Sequence, residues 1–352
     1  VNTVKHPAFA ESLLEEGVSD FVGIGRGFLA DPEWGKKAKE GKDDSIRKCI
    51  GCMECFRIAN MGRPIECTVN PILGRELHFG DGQLKKNGAG RTVAVAGGGP
   101  AGMQAAAVLA KRGFKPVLFE KSGVLGGSLN LADKPPHKKL ITELIKAQEE
   151  ELKELNVEIR LNTEATVEAC REIGAVGVFA AVGGNPIVPQ LPGVEKAVGA
   201  EDVLTGRVTL SGKKVAVIGG GVTGLETAEF LSGDNEVTVV EMLNAVGTTL
   251  YPSVSKLMLK RIADNGGKIM TGHALKAIGD GEIKLSISAT AFDTSMKADA
   301  VVLALGVRPN RALAAEFEKE FEHVILIGDA SAGGTIRDAM HAAYDKAFVF
   351  LD

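Results

Sequence analysis

The sequence contains an internal repeat. One copy is RTVAVAGGGPAGMQAAAVLAKRGFKPVLFEK at residues 91–121, and the other is KKVAVIGGGVTGLETAEFLSGDNEVTVVEM at residues 213–242. Each copy is an apolar run, a G-x-G-x-x-G turn, an amphipathic helix and a second apolar run that ends in glutamate. Such a unit folds as strand, turn, helix and parallel strand. The repeat therefore predicts an α/β chain with two similar domains.

The spacing within each copy is typical of a dinucleotide site. The glycines are Gly97, Gly99 and Gly102 in the first copy and Gly219, Gly221 and Gly224 in the second. The first glycine of each set permits the tight turn, the second lets a pyrophosphate approach the backbone, and the third lets helix and strand pack closely. Glu120 and Glu241 follow about 20 residues later, where a carboxylate accepts hydrogen bonds from the adenosine ribose. Two Rossmann-like sites are predicted, and the alternative is a pair of glycine-rich structural turns without ligand.

The second acid also bears on the choice of nicotinamide cofactor. Glu241 would repel the 2′-phosphate of NADPH, and Met242, Leu243 and Asn244 supply no cation to neutralise it. The second copy is therefore predicted to bind NADH in preference to NADPH.

Composition excludes several classes of protein. With 45% apolar and 24% charged residues and a formal net charge of −4, the chain is typical of a globular protein with more than one core. It lacks the basic excess of a nucleic-acid binder and an apolar run long enough to cross a bilayer. Neither nucleic acid nor a membrane is expected as a partner. Because the sequence opens with Val1, we expect a processed or excised chain.

Four of the five cysteines lie in one short stretch, namely Cys49, Cys52, Cys55 and Cys67. Three thiols within seven residues and a fourth some way downstream resemble the ligand set of a cubane iron–sulfur cluster. Structural zinc sites usually bring two separated C-x2-C knuckles, so zinc is the second interpretation, and reduced structural thiols are the third. A cluster with free thiolates implies a reducing cytoplasm.

Apolar runs outside the repeat predict further strands and a late helix. The strands are expected at residues 157–161, 175–182, 268–271, 299–306 and 323–329, with a helix from about Thr335. A meander is expected around Gly279–Gly281, and a strand that ends at Gly25-Arg26 is expected within DFVGIGRGFLADPEW, residues 20–34.

The two fingerprints, the matching turns FAAVGGNP and VLALGVRPN, and the late Gly328-Asp329 resemble flavoproteins with two dinucleotide domains. In that family the first fingerprint holds FAD and the second NAD(P)H. The resemblance implies FAD contacts from Gly97, Gly99, Pro100, Ala101, Gly102, Glu120, Lys121, Gly127, Ser128, Ala181, Val182, Gly183, Gly328, Asp329 and Ile336. It implies NAD contacts from Gly219, Gly221, Val222, Thr223, Gly224, Glu241 and Gly306. As an alternative, Asp329 caps the following helix or turn.

The upstream sequence narrows the resemblance. Residues 20–34 are similar to the last strand and phosphate-binding loop of the old yellow enzyme (β/α)8 barrel, where Gly25 and Arg26 would hold the FMN phosphate. The order of barrel end, cysteine segment, FAD domain and NAD domain resembles the C-terminal part of the 2,4-dienoyl-CoA reductase and trimethylamine dehydrogenase group. GGSLNLADKPPHK, residues 126–138, is similar to its FAD-covering loop. A complete barrel needs roughly 250 residues, so only its end is expected here.

The motifs suggest a division of the chain into four parts. Residues 1–40 are the expected barrel remnant, and residues 41–90 are the 4Fe-4S cluster segment and linker. Residues 91–209 and 307–352 form the FAD domain, and residues 210–306 the NAD(P)H domain. The catalytic residues of the family lie outside this sequence, so no catalytic residue is assigned.

The resemblance implies an oxidoreductase. Electrons would pass from NADH through FAD to the 4Fe-4S cluster and, in a full-length parent, to FMN that reduces an activated C=C bond of an enoyl or dienoyl compound. This chain alone would show at most NADH diaphorase activity, and an oligomer is possible. The alternatives are the C-terminal part of an amine dehydrogenase with structural ADP, and a non-catalytic nucleotide-binding fragment. No C-x4-C dithiol follows the first fingerprint, which excludes a redox disulfide of the glutathione reductase kind.

Overall fold

The computed structural model describes residues 3–290 and 292–352 and divides the chain into two compact units. The first unit comprises the described residues up to Asn130, together with Lys139–Gly184 and Pro309–Asp352. The second comprises Leu131–Lys138 and Asn185–Arg308. Each unit contains one copy of the repeat.

A five-stranded parallel sheet forms the centre of the first unit. Its strands, in spatial order, are Val324–Leu326, Val178–Ala180, Thr92–Ala96, Lys115–Phe119 and Glu158–Arg160. Thr92–Ala96 is the middle strand, and the next strands along the chain lie on one side of it before the order reverses to the other. This reversal is the place where open α/β sheets bind ligands, at the carboxyl ends of the strands.

Helices cover both faces of this sheet. The α-helices of the unit are Pro7–Glu15, Arg26–Ala30, Trp34–Lys39, Glu54–Asn60, Glu76–Phe79, Pro100–Lys111, Lys139–Glu154, Val167–Glu172, Arg311–Glu318 and Ile336–Phe348, with 3-10 turns at Asp43–Ser45, Asp81–Gln83 and Gly328–Ala330. The Pro100–Lys111 helix is rich in alanine and is buried along almost its whole length. Its small side chains let the Ile336–Phe348 helix pack against it, and both contribute to one core.

The second unit repeats the same plan. Its parallel sheet has the order Val198–Gly199, Ala300–Leu303, Lys214–Ile218, Glu236–Val240 and Lys268–Met270. The helices Ala200–Leu204, Val222–Leu231 and Pro252–Asp264 and the 3-10 turn Val194–Lys196 belong to this unit. An antiparallel sheet of His273–Ile278, Glu282–Ile287 and Asp293–Lys297 also belongs to it, and its apolar residues share a core with those of the parallel sheet.

The short elements Leu129–Ala132, Gly184–Pro186 and Val307–Pro309 lie where the chain passes between the units. Among the described residues, no helix combines the length and the apolar character that a bilayer crossing requires.

The predicted α/β class with two Rossmann-like sheets is confirmed. The strands expected at residues 157–161, 175–182, 268–271, 299–306 and 323–329 are each observed within the predicted range, as shorter strands. One expectation is wrong. The stretch Phe21–Ile24 is not a strand, and a short helix, Arg26–Ala30, follows it directly. A strand needs a neighbour that accepts its backbone hydrogen bonds, and none of the described sheets offers one to this stretch.

Candidate functional site

The first glycine turn connects Thr92–Ala96 to the Pro100–Lys111 helix. Gly97 has a φ of 110°, and a Cβ placed on it would lie 2.4 Å from the carbonyl oxygen of Ala181. A Cβ on Gly102 would lie 1.9 Å from the carbonyl oxygen of Gly97. The backbone is therefore packed so closely that only glycine fits at either position.

Glu120 holds this turn in place. Its Oε2 accepts a hydrogen bond from the Gly98 backbone amide at 2.8 Å, and its Oε1 accepts one from the Ser122 amide at 2.8 Å. The residue is only 7% exposed. Oε1 also accepts from the Ser122 hydroxyl at 2.8 Å. Because each carboxylate oxygen has two lone pairs, Oε2 keeps acceptor capacity for a ribose hydroxyl.

The helix that follows the turn begins at Pro100, with Gly99 as its N-cap and no side-chain cap. Its first amides are thus not taken by a capping side chain, and together with the helix dipole they favour an anion such as a pyrophosphate. The backbone at Gly127 packs closely against Gly99, since a Cβ on Gly127 would lie 3.0 Å from the Gly99 Cα.

The second turn reproduces the first. Gly219 also has a φ of 110°, and a Cβ there would lie 2.5 Å from the carbonyl oxygen of Ala304. A Cβ on Gly224 would lie 1.8 Å from the carbonyl oxygen of Gly219. The Val222–Leu231 helix begins after Gly221 and likewise has no side-chain cap.

Glu241 repeats the role of Glu120. Its Oε2 accepts from the Gly220 amide at 2.6 Å, and its Oε1 accepts from the Leu243 amide at 2.8 Å. It is 9% exposed, whereas the side chain of Met242 beside it is 59% exposed. The two acidic residues therefore occupy equivalent, buried and hydrogen-bonded positions, each in its own unit.

Sequence reasoning missed the middle glycines of the two G-G-G runs. A Cβ on Gly98 would lie 2.4 Å from Leu125 Cδ2, and one on Gly220 would lie 2.3 Å from Val246 Cγ1. Both also donate to the acidic side chains. The signal was present, because the middle position of the G-x-G turn is glycine in both copies although the G-x-G-x-x-G pattern does not demand it.

The other residues assigned to the first site are spread around the same edge of its sheet. Ala181, Val182 and Gly183 follow the Val178–Ala180 strand, and Ala181 walls the turn. Lys121, Gly127 and Ser128 are exposed on the stretch after Glu120. In the second unit Gly306, with a φ of 82°, follows the Ala300–Leu303 strand in the corresponding place.

Asp329 does not cap the last helix. The cap is Thr335, whose hydroxyl and backbone form a capping box with Asp338 just before Ile336. Asp329 Oδ1 instead accepts a hydrogen bond from the Gly334 amide at 3.2 Å, and burial raises the pKa of the Asp329 carboxyl. It lies in the 3-10 turn Gly328–Ala330, whose Gly328 packs against Ala101 in the helix after the first glycine turn.

The four clustered cysteines line one cavity in the first unit. Its other walls are Arg26, Leu29, Ile50, Met53, Thr68 and Val69. Cys52 Sγ lies 3.1 Å from Thr68 Oγ1, and Arg26 Nη1 donates to Met53 Sδ at 2.9 Å. Arg26, assigned to an FMN phosphate, thus lies at the cysteine cavity. All the cysteines, Cys170 included, are free thiols.

Burial changes the acidity of these thiols. It raises the pKa of Cys52 and Cys55, and it raises the pKa of Cys67 to about 12. A thiol of this kind is protonated near neutral pH, and a bound metal would displace the proton.

The four thiols line one cavity and do not form a single-ion site. Within the described ranges, no three His, Cys, Asp or Glu side chains are grouped as ligands of a single ion. A single zinc ion draws its ligands to within about 2.3 Å of one point. In a cubane cluster each thiolate binds a different iron. The cavity offers thiolates, which are the ligands that both metal alternatives use.

Comparisons with known proteins agree with this geometry. The pyridine nucleotide-disulphide oxidoreductase family matches residues 91–330, which include both glycine turns and both acidic residues. An NADH oxidase of Thermoanaerobacter brockii is 37% identical over 99% of this chain, and a cinnamate reductase of Clostridium sporogenes is 36% identical over 98%.

The fold is also shared with a solved enzyme. A 2-naphthoyl-CoA reductase in complex with 2-naphthoyl-CoA superposes on 98% of this chain with a TM-score of 0.91 and 29% identity. The chain covers 54% of the NADH oxidase, 52% of the cinnamate reductase and 53% of the naphthoyl-CoA reductase chain. It therefore spans about half the length of these relatives. The match includes both halves of the repeat, so the chain belongs to the pyridine nucleotide-disulphide oxidoreductase family.

Proposed function

We propose that this chain is the NADH-oxidising part of a flavin-dependent reductase. It binds FAD at the first glycine turn, NADH at the second, and a 4Fe-4S cluster on Cys49, Cys52, Cys55 and Cys67. In the whole protein the electrons serve an FMN in a barrel domain that reduces an activated C=C bond of an enoyl or dienoyl compound. The free thiols fit a reducing cytoplasm.

The observation that carries the proposal is the pair of equivalent glutamates. Glu120 and Glu241 are each held by two backbone amides, beside a helix that begins without a side-chain cap. A structural turn without ligand would account for the buried carboxylate, which fixes the turn, but not for the helix end left without a side-chain cap beside it. The two together favour a nucleotide at each turn.

The residues of the first unit fit a flavin nucleotide. Glu120 would accept from the adenosine ribose, the amides after Gly99 would face the pyrophosphate, and Asp329 would accept from the ribityl chain. The Ile336–Phe348 helix would direct the positive end of its dipole toward the flavin ring. A bound flavin supplies two-electron chemistry toward NADH and one-electron chemistry toward a cluster.

In the second unit, Glu241 would select NADH. Two backbone amides fix this carboxylate in place, and a 2′-phosphate placed against it would be repelled. Thr223 and Val222 at the start of the helix are accessible to a nucleotide, since Thr223 is exposed and Val222 half-buried.

The experiment is the anaerobic addition of NADH to the purified chain loaded with FAD. We expect the flavin absorbance to bleach with NADH and more slowly with NADPH. Gly224→Val is the matched control, because it should keep the flavin and bleach at least about tenfold more slowly. A wild-type flavin that remains oxidised in excess NADH would contradict the proposal.

A further inference from the structure

We infer that Arg337 and His341 are positioning residues that fix the cysteine loop to the Ile336–Phe348 helix. Both lie in the first two turns of that helix, whose amino-terminal end is the one proposed to face the flavin. The inference rests on the proposed function, since it concerns the cluster assigned to the four cysteines.

His341 holds the backbone of a proposed ligand. Its side chain is 8% exposed, and its Nε2 lies 2.8 Å from the carbonyl oxygen of Cys67. A carbonyl only accepts, so Nε2 carries the proton and donates. The other ring nitrogen, Nδ1, lies 4.0 Å from Glu66 Oε2. The imidazole thus contacts two consecutive residues of the cysteine loop.

Arg337 holds the residues that precede two proposed ligands. Its Nη2 forms an ion pair with Glu66, which directly precedes Cys67, and its Nε lies 3.8 Å from Oε1 of Glu54, which directly precedes Cys55. One guanidinium therefore connects the helix to both ends of the segment that carries these cysteines.

The position of this guanidinium is not explained by stability alone. Glu54 already forms a two-pronged pair with Arg57, at 2.6 and 2.8 Å. Among the described residues, Arg337 Nε is buried and has no hydrogen-bond partner. Leaving a buried donor unpaired is unfavourable. An unpaired buried donor of this kind is a reason to look for a function of Arg337 other than stability, and we infer that it positions the cysteine loop.

Side chains that orient metal ligands from outside typically change metal affinity by about 10–100-fold when they are removed. Loss of the His341 contact should free the Cys67 backbone from the helix, and loss of the Arg337 contact should free the Glu66 side chain beside it. The cluster would then be less firmly held and differently surrounded, while the nucleotide-binding turn, which neither residue contacts through a hydrogen bond, would remain intact.

The test uses the full chain, loaded with FAD and reconstituted anaerobically with ferrous iron and sulfide. The variants are Arg337→Met, His341→Leu and His341→Gln, of which the last keeps a donor for the Cys67 carbonyl. The readouts are the rate of iron release to a colorimetric chelator, the electron paramagnetic resonance spectrum after reduction with dithionite, and the flavin content.

We expect Arg337→Met and His341→Leu to release iron about tenfold faster and to show altered spectra, with unchanged flavin content. His341→Gln should stay near the wild-type rate. Wild-type rates and spectra in the first two variants would overturn the inference, and so would equal effects of His341→Leu and His341→Gln, which indicate packing alone.

If Arg337→Met does not fold, the two His341 variants decide the question. Failure of the wild-type chain to take up iron and sulfide would overturn the proposed cluster and this inference with it. Normal wild-type loading with unaffected variants would overturn the inference only.

Discussion

The two glycine turns have the same backbone conformation and an equivalent glutamate, but they differ in how closely other residues of the chain cover them. At the first turn, Gly127 Cα lies 4.0 Å from the place where a Gly99 Cβ would stand. At the second, nothing lies within 4 Å of the corresponding position on Gly221. The helix after the first turn begins with buried residues, whereas Thr223 after the second is exposed. We interpret the covered turn as the site of a resident cofactor and the open turn as the site of an exchanging one.

The largest predicted effects come from valine at the third glycine of each turn. The new Cβ would lie 1.9 Å from a backbone oxygen in Gly102→Val and 1.8 Å in Gly224→Val. Gly102→Val should reduce bound FAD at least about tenfold, and Gly224→Val should reduce the rate of bleaching by NADH by a similar factor without loss of FAD. Flavin absorbance and stopped-flow kinetics measure the two quantities.

Gly233→Ala is the control for these variants, because a Cβ at Gly233 meets nothing within 4 Å. It should behave like the wild-type chain. If Gly224→Val loses FAD as readily as Gly102→Val, the two turns are not independent sites and the comparison fails.

The next largest effects are expected for replacement of the two glutamates. Replacing Glu241 by alanine leaves the amides of Gly220 and Leu243 without their carboxylate and removes the ribose acceptor. Hydrogen bonds to a charged group contribute about 1.5–3 kcal/mol, so the Kd for NADH should rise at least about tenfold. Glu120→Ala should leave this Kd unchanged and weaken FAD retention, as equilibrium dialysis would show. A change of both affinities in both variants would contradict the assignment.

A smaller effect is expected for the choice of nicotinamide cofactor. Glu241→Ser combined with Met242→Arg replaces the repelling carboxylate with a cation. Because Met242 is 59% exposed, solvent screens the new charge, and the gain should be about 1 kcal/mol. Bleaching by NADPH relative to NADH should therefore increase about fivefold. An unchanged ratio would show that Glu241 does not face the ribose.

A last effect, of similar size, concerns the unit of the covered turn alone. Thr335 accepts a hydrogen bond from the Asp338 amide and caps the helix proposed to face the flavin. Thr335→Val should lower the free energy of unfolding measured by FAD release in urea by about 1 kcal/mol. The Kd for NADH should not change, because Thr335 lies in the other unit.

Much of the fold could be predicted because the pattern is local. The repeat places a strand, turn, helix and acid in order, and Gly102 and Gly224 are needed because each packs against the first glycine of its own turn. The sequence did not reveal that Gly98 and Gly220 are glycines because of Leu125 and Val246, since those neighbours come from the loop after each acid.

Contacts between distant segments also escaped prediction. His341 and Cys67 form a hydrogen bond although most of the chain lies between them in the sequence, and no periodicity of the sequence connects them. The expected strand before Gly25 was wrong for the opposite reason, because the local apolar run was suitable but the described sheets provide no partner. The preference of a short segment for helix or strand can be read from its sequence. Whether a strand forms also depends on whether the fold places a neighbouring strand beside it.

The most direct test of the account is the nucleotide content of the chain after prolonged dialysis, determined by mass spectrometry of the denatured protein. The account predicts about one retained FAD per chain, no retained nicotinamide nucleotide, and binding of added NADH that Gly224→Val weakens at least about tenfold. Retention of ADP in place of FAD, or of a nicotinamide nucleotide in the covered site, would contradict it.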